Sequence, residues 1–563
     1  MLRLLIIVLV SALFVGSYGI RQTLAADNSP RLVLQITIDG LRGDLLRRYG
    51  NRFGKGGFRY LLEQGTHYTN AHYNHANTET IVGHTTLATG AHPSEHGMVG
   101  NVIFDRDKGE LAYNIEDADY PLLPTDNAAT DAAQVDPAQK RSRSQGRSPV
   151  NILASTISDE MAVHYNGKSK IFGVSGKDRS AVAMAGHAGK AFWYSTNSGD
   201  FQTSAFYYEA YPTWVKTWNA QRLADSYSGE AWALSAEIGT YLLGDRDDRP
   251  YETDLKGYLR TFPHPYGKAG DKLFYTRLLV SPVGDKLVLD FTKSLIDNEN
   301  LGRDDVPDYL SVSFSGVDAI NHFFGPSSLE NEEVVLQTDK VLAELFEHIE
   351  KTVGLDRSVI VLAADHGMPE APELMAEFGM ATGRLDPNDL EALANDATKA
   401  AFGKDNLVLA FFRPYFYLNQ EEILAAGLDQ LTVEKTIADA LAKKQGIALA
   451  ISTKALPMLQ DTPVLKKIRN NTHAQNSGDI YVVQEPYWYL QEGSAIAVMH
   501  GTPWVYDTYV PIIFAGAGIG RKTVDRLVHP VFVAPTLAAI LGIKPPSSAM
   551  SGPLVEVLEG DTR

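Results

Sequence analysis

The chain has 563 residues, 44% hydrophobic and 21% charged, which suits a soluble globular protein with a large buried core. Its formal net charge of −17 speaks against non-specific binding to nucleic acid or anionic lipid. It has no cysteine, which excludes disulfides, thiolate zinc sites and cysteine nucleophiles.

In chain order, Met1-Leu2-Arg3 is a short basic start, and Leu4 to Gly16 is a nearly unbroken apolar run. Small residues at Thr23-Leu24-Ala25-Ala26 complete a signal peptide over 1–25, which predicts a periplasmic or secreted protein. No later segment reaches the roughly 18 consecutive apolar residues of a membrane span. Residues 31–39 read as a buried strand ending at Asp39-Gly40, followed by a helical pattern to Gly65. A helix is predicted over 80–89, a polar loop over 103–148, a helix over 151–163 and a strand over 169–174. From about 190 to 300 the sequence is aromatic-rich and irregular. Strands follow at 308–315 and 357–364, with a long amphipathic helix over 328–352 between them. An acidic, Ala-rich helix or loop at 384–404, strands at 478–484 and 509–515, and a helix at about 531–541 close the chain. Strands alternating with helices, with polar residues just after the strands, predict an α/β fold whose site lies at the carboxyl edge of a sheet.

Three strand ends deliver carboxylates: Asp39, Asp318 and Asp365. Histidines accompany two of them, in Asp318-x-x-x-His322 and Asp365-His366, and His500 precedes a later strand. The i, i+4 spacing puts Asp318 and His322 on one helical face. Three Asp and three His form an oxygen/nitrogen ligand set for two zinc ions, each keeping an open position for substrate. Two divalent ions against three carboxylates leave a positive centre, which attracts a phosphoryl dianion despite the acidic surface.

The segment Asn77-Thr78-Glu79-Thr80-Ile81-Val82-Gly83-His84, continuing to Pro93-Ser94-Glu95-His96-Gly97, resembles the nucleophile region of the alkaline phosphatase superfamily. More narrowly, it is similar to the branch of nucleotide pyrophosphatase/phosphodiesterases and threonine-nucleophile alkaline phosphatases. The order Asp39, Thr80, Asp318, His322, Asp365, His366, His500 also matches. The resemblance implies a central, mostly parallel sheet between helices, forming a single catalytic domain over 26–563 with insertions at about 103–148 and 190–300. It also implies two Zn2+ per chain, one on Asp318, His322 and His500, the other on Asp39, Asp365 and His366. Thr80 would ligate the second ion and attack phosphorus through a covalent phosphothreonine. A metal activates a hydroxyl that is otherwise a poor nucleophile, and a helix N-terminus at Thr80 adds N–H groups for phosphate.

Lys177 and Arg179 resemble the Lys-x-Arg pair of the threonine-type alkaline phosphatases, which contacts phosphate oxygens. Their alternation would place both on one side of an extended segment. Asn101 matches an Asn that donates to a phosphoryl oxygen in monoesterases and diesterases alike. The implied activity is alkaline phosphatase hydrolysis of phosphate monoesters, with small phosphorylated molecules as partners and no nucleic-acid or membrane partner beyond the leader. The alternative is a phosphodiesterase or nucleotide pyrophosphatase on the same scaffold. A formylglycine sulfatase is disfavoured, since no Cys-x-Pro-x-Arg or Ser-x-Pro-x-Arg motif occurs. His84, His92 and His96 are expected to make local hydrogen bonds; Trp193-Tyr194 and Tyr487-Trp488-Tyr489 are expected to pack.

Overall fold

The computed structural model describes residues 30–124, 136, 138–491 and 496–559. The predicted leader and part of the 103–148 loop lie outside the described residues.

A nine-stranded sheet forms the frame. Its strands are β1 (Leu32–Ile38), β2 (Thr66–His72), β3 (Ile171–Ser175), β4 (Lys190–Tyr194), β5 (Phe201–Gln202), β6 (Asp308–Phe314), β7 (Ser358–Ala363), β8 (Tyr509–Gly516) and β9 (Lys522–Val524). The spatial order is β9-β2-β8-β7-β1-β6-β3-β4-β5. Pairing is parallel from β7 through β1, β6 and β3 to β4, while β8 and β5 run against their neighbours. The predicted, mostly parallel α/β sheet is therefore the observed one.

Strand β1 is buried at all seven positions, as a run flanked by strands and covered on both faces must be. Its period-two alternation sorts the core. Leu32, Leu34, Ile36 and Ile38 pack with the helices α3 (Pro282–Glu299), α4 (Gly316–Phe324) and α5 (Leu329–Thr352). Val33 joins the opposite layer, with Leu87 and Ala88 of α1 (Thr80–Thr89). Between β3 and β4 lies α2 (Asp178–Ala185).

Four predicted boundaries move. The helix expected from 151 begins at Ile157, because a capping box sets its start: Thr156 accepts from Asp159 N–H, and Asp159 accepts from Thr156 N–H. The helical stretch before Gly65 breaks into Leu45–Tyr49, a short Gly50–Arg52 turn and Phe58–Gln64, around the glycines at 54, 56 and 57. The 190–300 stretch is not all irregular: β4 and β5 extend the sheet, and α3 packs on it. The strand expected at 478–484 forms, as Ile480–Gln484, but in a separate four-stranded antiparallel sheet with Val408–Phe412, Tyr415–Leu418 and Ile447–Ser452. Those partners carry no signal of sheet membership, since a short apolar run does not reveal which edge it joins.

Candidate active site

The three acids converge because β6, β1 and β7 are adjacent and in step. Ile38 pairs with Phe314, and Thr37 with Ala363. Asp39 follows β1 directly and donates its N–H to Phe314 O at 2.9 Å. Asp318 lies in the first turn of α4, and Asp365 two residues beyond β7. Gly40 turns the chain away with φ +72°, and a Cβ there would lie 3.0 Å from Asp318 Cα, so glycine is required twice over. Helix α4 is itself anchored: Asp285 of α3 accepts the N–H groups of Ser315 and Gly316, both at 3.0 Å.

The histidines meet these acids. His366 Nε2 is 3.3 Å from Asp39 Oδ1 and 3.3 Å from Asp365 Oδ2. His322 Nε2 is 3.3 Å from Asp318 Oδ2, and His500 Nε2 is 3.5 Å from Asp318 Oδ1. Each ring gives its Nδ1 proton to a backbone carbonyl: His322 to Val498, His366 to Gly367 and His500 to Thr78, at 2.8 to 3.0 Å. That orients the rings and leaves the three Nε2 atoms facing carboxylates, the arrangement of metal-binding imidazoles.

Thr80 opens α1, and both Thr80 and the three acids have no exposed surface. Its approach to Asp365 is enforced by Gly83, where a Cβ would sit 2.1 Å from Asp365 O. His84 links the two, with Nδ1 2.9 Å from Thr80 O and 3.1 Å from Asp365 Oδ2, and its Nε2 bonded to Ser313 Oγ. Asn101 Oδ1 accepts the Ile81 N–H at 3.1 Å. Lys177 and Arg179 do reach the site, though not along an extended segment. Lys177 is the N-cap residue of α2, and Arg179 lies in that helix's first turn. Lys177 Nζ is 2.8 Å from Asp39 Oδ2 and also donates to Asp318 Oδ2. Arg179 Nη2 is 3.3 Å from Thr80 Oγ1, and Nη1 pairs with Asp136 at 2.6 Å.

Electrostatics follow from this crowding. Burial pushes the Asp39 carboxyl up, and Asp318 adds to that, but Lys177 and His366 outweigh both and hold it at about 2. Burial pulls His366 down, yet Asp365 and then Asp39 raise it to about 9. Lys177 is likewise raised against its own burial by Asp318 and Asp39. The acids thus draw positive charge to their centre.

Sequence reasoning missed three residues. Glu79 accepts the Asn101 N–H at 2.6 Å and pairs with Arg413 at 3.2 Å, while Arg413 donates to His500 O at 2.6 Å. Asp136 is the third. Glu79 stands beside the nucleophile candidate, so its position was a usable signal; Arg413 and Asp136 lie in unremarkable contexts. A cavity of about 580 Å³ opens on Asn101, Lys177, Arg179, Asp318, His322 and His500. Trp193, Tyr194 and Phe412 form part of its wall.

A family model for type I phosphodiesterase / nucleotide pyrophosphatase matches residues 33–503. Alkaline phosphatase PafA of Elizabethkingia meningoseptica is 30% identical over 96% of this chain and 97% of its own. Alkaline phosphatase PhoV of Synechococcus elongatus is 32% identical over 94% and 93%. A Myroides odoratus protein named calcium-transporting ATPase is 31% identical over 94% and 95%. Among the described residues no helix is long and apolar enough to cross a membrane. A crystal structure of wild-type alkaline phosphatase PafA superposes with a TM-score of 0.85 at 29% identity, covering 94% of this chain and 99% of that one.

Proposed function

We propose that this chain, which belongs to the type I phosphodiesterase / nucleotide pyrophosphatase family of the alkaline phosphatase superfamily, is an exported zinc-dependent alkaline phosphatase that hydrolyses phosphate monoesters through Thr80. That it is a phosphoric ester hydrolase rests on the family and on the named alkaline phosphatases it resembles. The finer reading rests on one observation: Lys177 and Arg179 line one cavity with Asp318, and from it Lys177 reaches Asp39 while Arg179 reaches Thr80.

The ligand set suits divalent metal. Asp39 Oδ1, Asp318 Oδ1 and His366 Nε2 are buried with no hydrogen-bond partner. Charged groups left this way are costly unless a cation satisfies them. Asp318, His322 and His500 form one compact donor group, and Asp39, Asp318 and His366 another. We assign Asp318, His322 and His500 to one Zn2+, and Asp39, Asp365, His366 and Thr80 to a second. When bound, zinc supplies Lewis acidity and positive charge to phosphate and to the attacking hydroxyl.

The residues then have distinct work. Thr80 Oγ1 forms the new P–O bond as the ester P–O bond breaks, and the departing alcohol takes up a proton. Water then attacks phosphorus, releasing phosphate and restoring the Thr80 hydroxyl. Arg179 Nη2, already 3.3 Å from Thr80 Oγ1, holds phosphoryl oxygen at the nucleophile. Lys177 and Asn101 serve the remaining oxygens, and the N–H groups opening α1 add donors. His84, bonded to Thr80 O and facing Asp365, fixes the nucleophile's turn against the acids.

The test is acid-quenched incubation with a monoester, followed by peptide mapping. A phosphate on Thr80 in wild type, absent in Thr80→Ala, is expected alongside two zinc equivalents by elemental analysis. A chain turning over monoesters with no phospho-Thr80 at any quench time would refute the covalent route. A diester preference in kcat/KM would favour the phosphodiesterase reading. N-terminal sequencing of the exported protein checks the leader.

A further inference from the structure

The candidate metal ligands are held unequally. Asp39 and Asp365 follow central strands, and Asp318 and His322 lie on α4, but His500 belongs to no helix or strand. Its ring is oriented by Thr78 O, in the turn that leads into Thr80. A ligand on irregular chain depends on outer partners for its place. The smaller sheet supplies one. Phe412 pairs with Tyr415, so Arg413 stands at the tip of a hairpin, and that tip reaches the cavity. Arg413 Nη1 donates to His500 O at 2.6 Å, and Nη2 lies 3.2 Å from Glu79 Oε1. Both side chains are buried.

Glu79 directly precedes Thr80. Its Oε2 accepts the Asn101 N–H at 2.6 Å and a proton of Asn77 Nδ2 at 3.3 Å, so the carboxylate ties the nucleophile turn to Asn101. It also lines the same cavity as Asn101, Lys177 and Arg179, where a phosphoryl dianion would arrive. A buried anion there repels that ligand unless a cation answers it. Arg413 brings that cation, and its planar fork lets one side chain serve Glu79 and His500 together.

We propose that Arg413 and Glu79 are a positioning pair: Arg413 holds the His500 loop where its ring can bind metal, and it neutralises Glu79 so that the turn at Thr80 accepts a phosphoryl dianion. The proposal rests on the phosphatase reading and adds to it how the nucleophile turn, the Asn101 segment and the His500 loop are kept in register. Neither side chain needs to touch the substrate. The pair also joins the smaller sheet to the metal ligands, through the residue next to Phe412 in the cavity wall.

The test uses the full chain, stripped, reloaded with Zn2+ and equilibrated against a competing chelator. Inorganic phosphate is then titrated by calorimetry at saturating Zn2+. Arg413→Met is expected to hold one zinc equivalent at least about tenfold more weakly than wild type. It should also bind phosphate at least about tenfold more weakly, because Glu79 is left uncompensated. Adding Glu79→Gln should restore most of the phosphate affinity and none of the zinc affinity, a split that general damage to the fold would not produce. Arg413→Lys keeps the charge without the fork, so it should bind phosphate nearly as wild type does while still losing zinc affinity; it carries the comparison should Arg413→Met fail to fold. Unchanged zinc affinity in the folded Arg413 variants, or phosphate affinity that Glu79→Gln fails to restore, would overturn the proposal. Both readouts are independent of turnover, so a chain that showed this split yet cleaved no monoester would sink the phosphatase reading and leave the pair standing.

Discussion

The proposed function predicts that removing the guanidinium of Arg179 costs monoester hydrolysis more than diester hydrolysis. Of its nitrogens, Nη1 is committed to Asp136 at 2.6 Å, Nε is buried without a partner, and Nη2 alone points at Thr80 Oγ1. One charge-assisted hydrogen bond to the phosphoryl group is therefore lost in Arg179→Ala. Such a bond contributes about 1.5–3 kcal/mol, or roughly 10- to 100-fold in kcat/KM. The loss should be larger for an aryl phosphate monoester, which carries the extra charge, than for the matching methyl diester. The assay is kcat/KM for both substrates in wild type, Arg179→Ala and Arg179→Lys, with Lys177→Ala as a second probe. Melting temperatures guard against damage from leaving Asp136 unpaired. Equal losses on both substrates, or an Arg179→Lys variant with wild-type monoester activity, would refute the argument that this fork is aimed at a dianion.

Other outcomes follow from the same geometry. Gly83→Ala would force a Cβ to within 2.1 Å of Asp365 O, so Asp365 must move; zinc content and monoesterase activity should fall together, by at least about tenfold in activity. Wild-type zinc content with full activity would contradict this. His75, His92 and His96 are held neutral chiefly by burial, His92 at about 4, with the other two well below their usual value. Because their folded values lie below the unfolded one, their contribution is present above about pH 6.5 and is lost as pH falls towards 4, at about 1.4 kcal/mol per pH unit for each histidine. Urea unfolding from pH 7 to 5 should show this slope, reduced by one histidine's share in His92→Gln; parallel curves would exclude it. Chelator should abolish phosphatase activity and Zn2+ restore it, and activity indifferent to chelator would remove the metal assignment.

The sheet and its chemistry were legible for different reasons. Leu32–Ile38, Asp308–Phe314 and Ser358–Ala363 are short runs rich in apolar and β-branched residues and buried at every position, and an acid shortly after such a run has few structural uses. That made Asp39, Asp318 and Asp365 readable as a group. Lys177 and Arg179 were placed by resemblance, but the local geometry inferred for them was wrong: Lys177 caps a helix, so its direction comes from α2 and not from a strand. Arg413 and Asp136 illustrate the remainder. Arg413 acts through Glu79 and Asp136 through Arg179, each far away along the chain, and no local pattern encodes a long-range ion pair. The four-stranded sheet around Ile480–Gln484 was hidden likewise, since pairing between distant short strands leaves no periodicity to read.

The acids and the cavity walls have separate supports. Asp39 and Asp365 follow two neighbouring strands, and Asp318 lies on the helix that follows a third; the lateral spacing of those strands, about 4.8 Å, is set by backbone hydrogen bonds and cannot drift without unpairing the sheet's centre. Trp193, Tyr194 and Phe412 come from a peripheral strand of that sheet and from the smaller sheet. Under the proposed function, the acids that face phosphorus are held by the central strand pairing, while the wall that faces the rest of the substrate comes from the sheet's margin and from the smaller sheet. Changes in substrate range, whether by natural drift or in a directed library, should accumulate at Phe412 and its surroundings and leave the strand ends untouched.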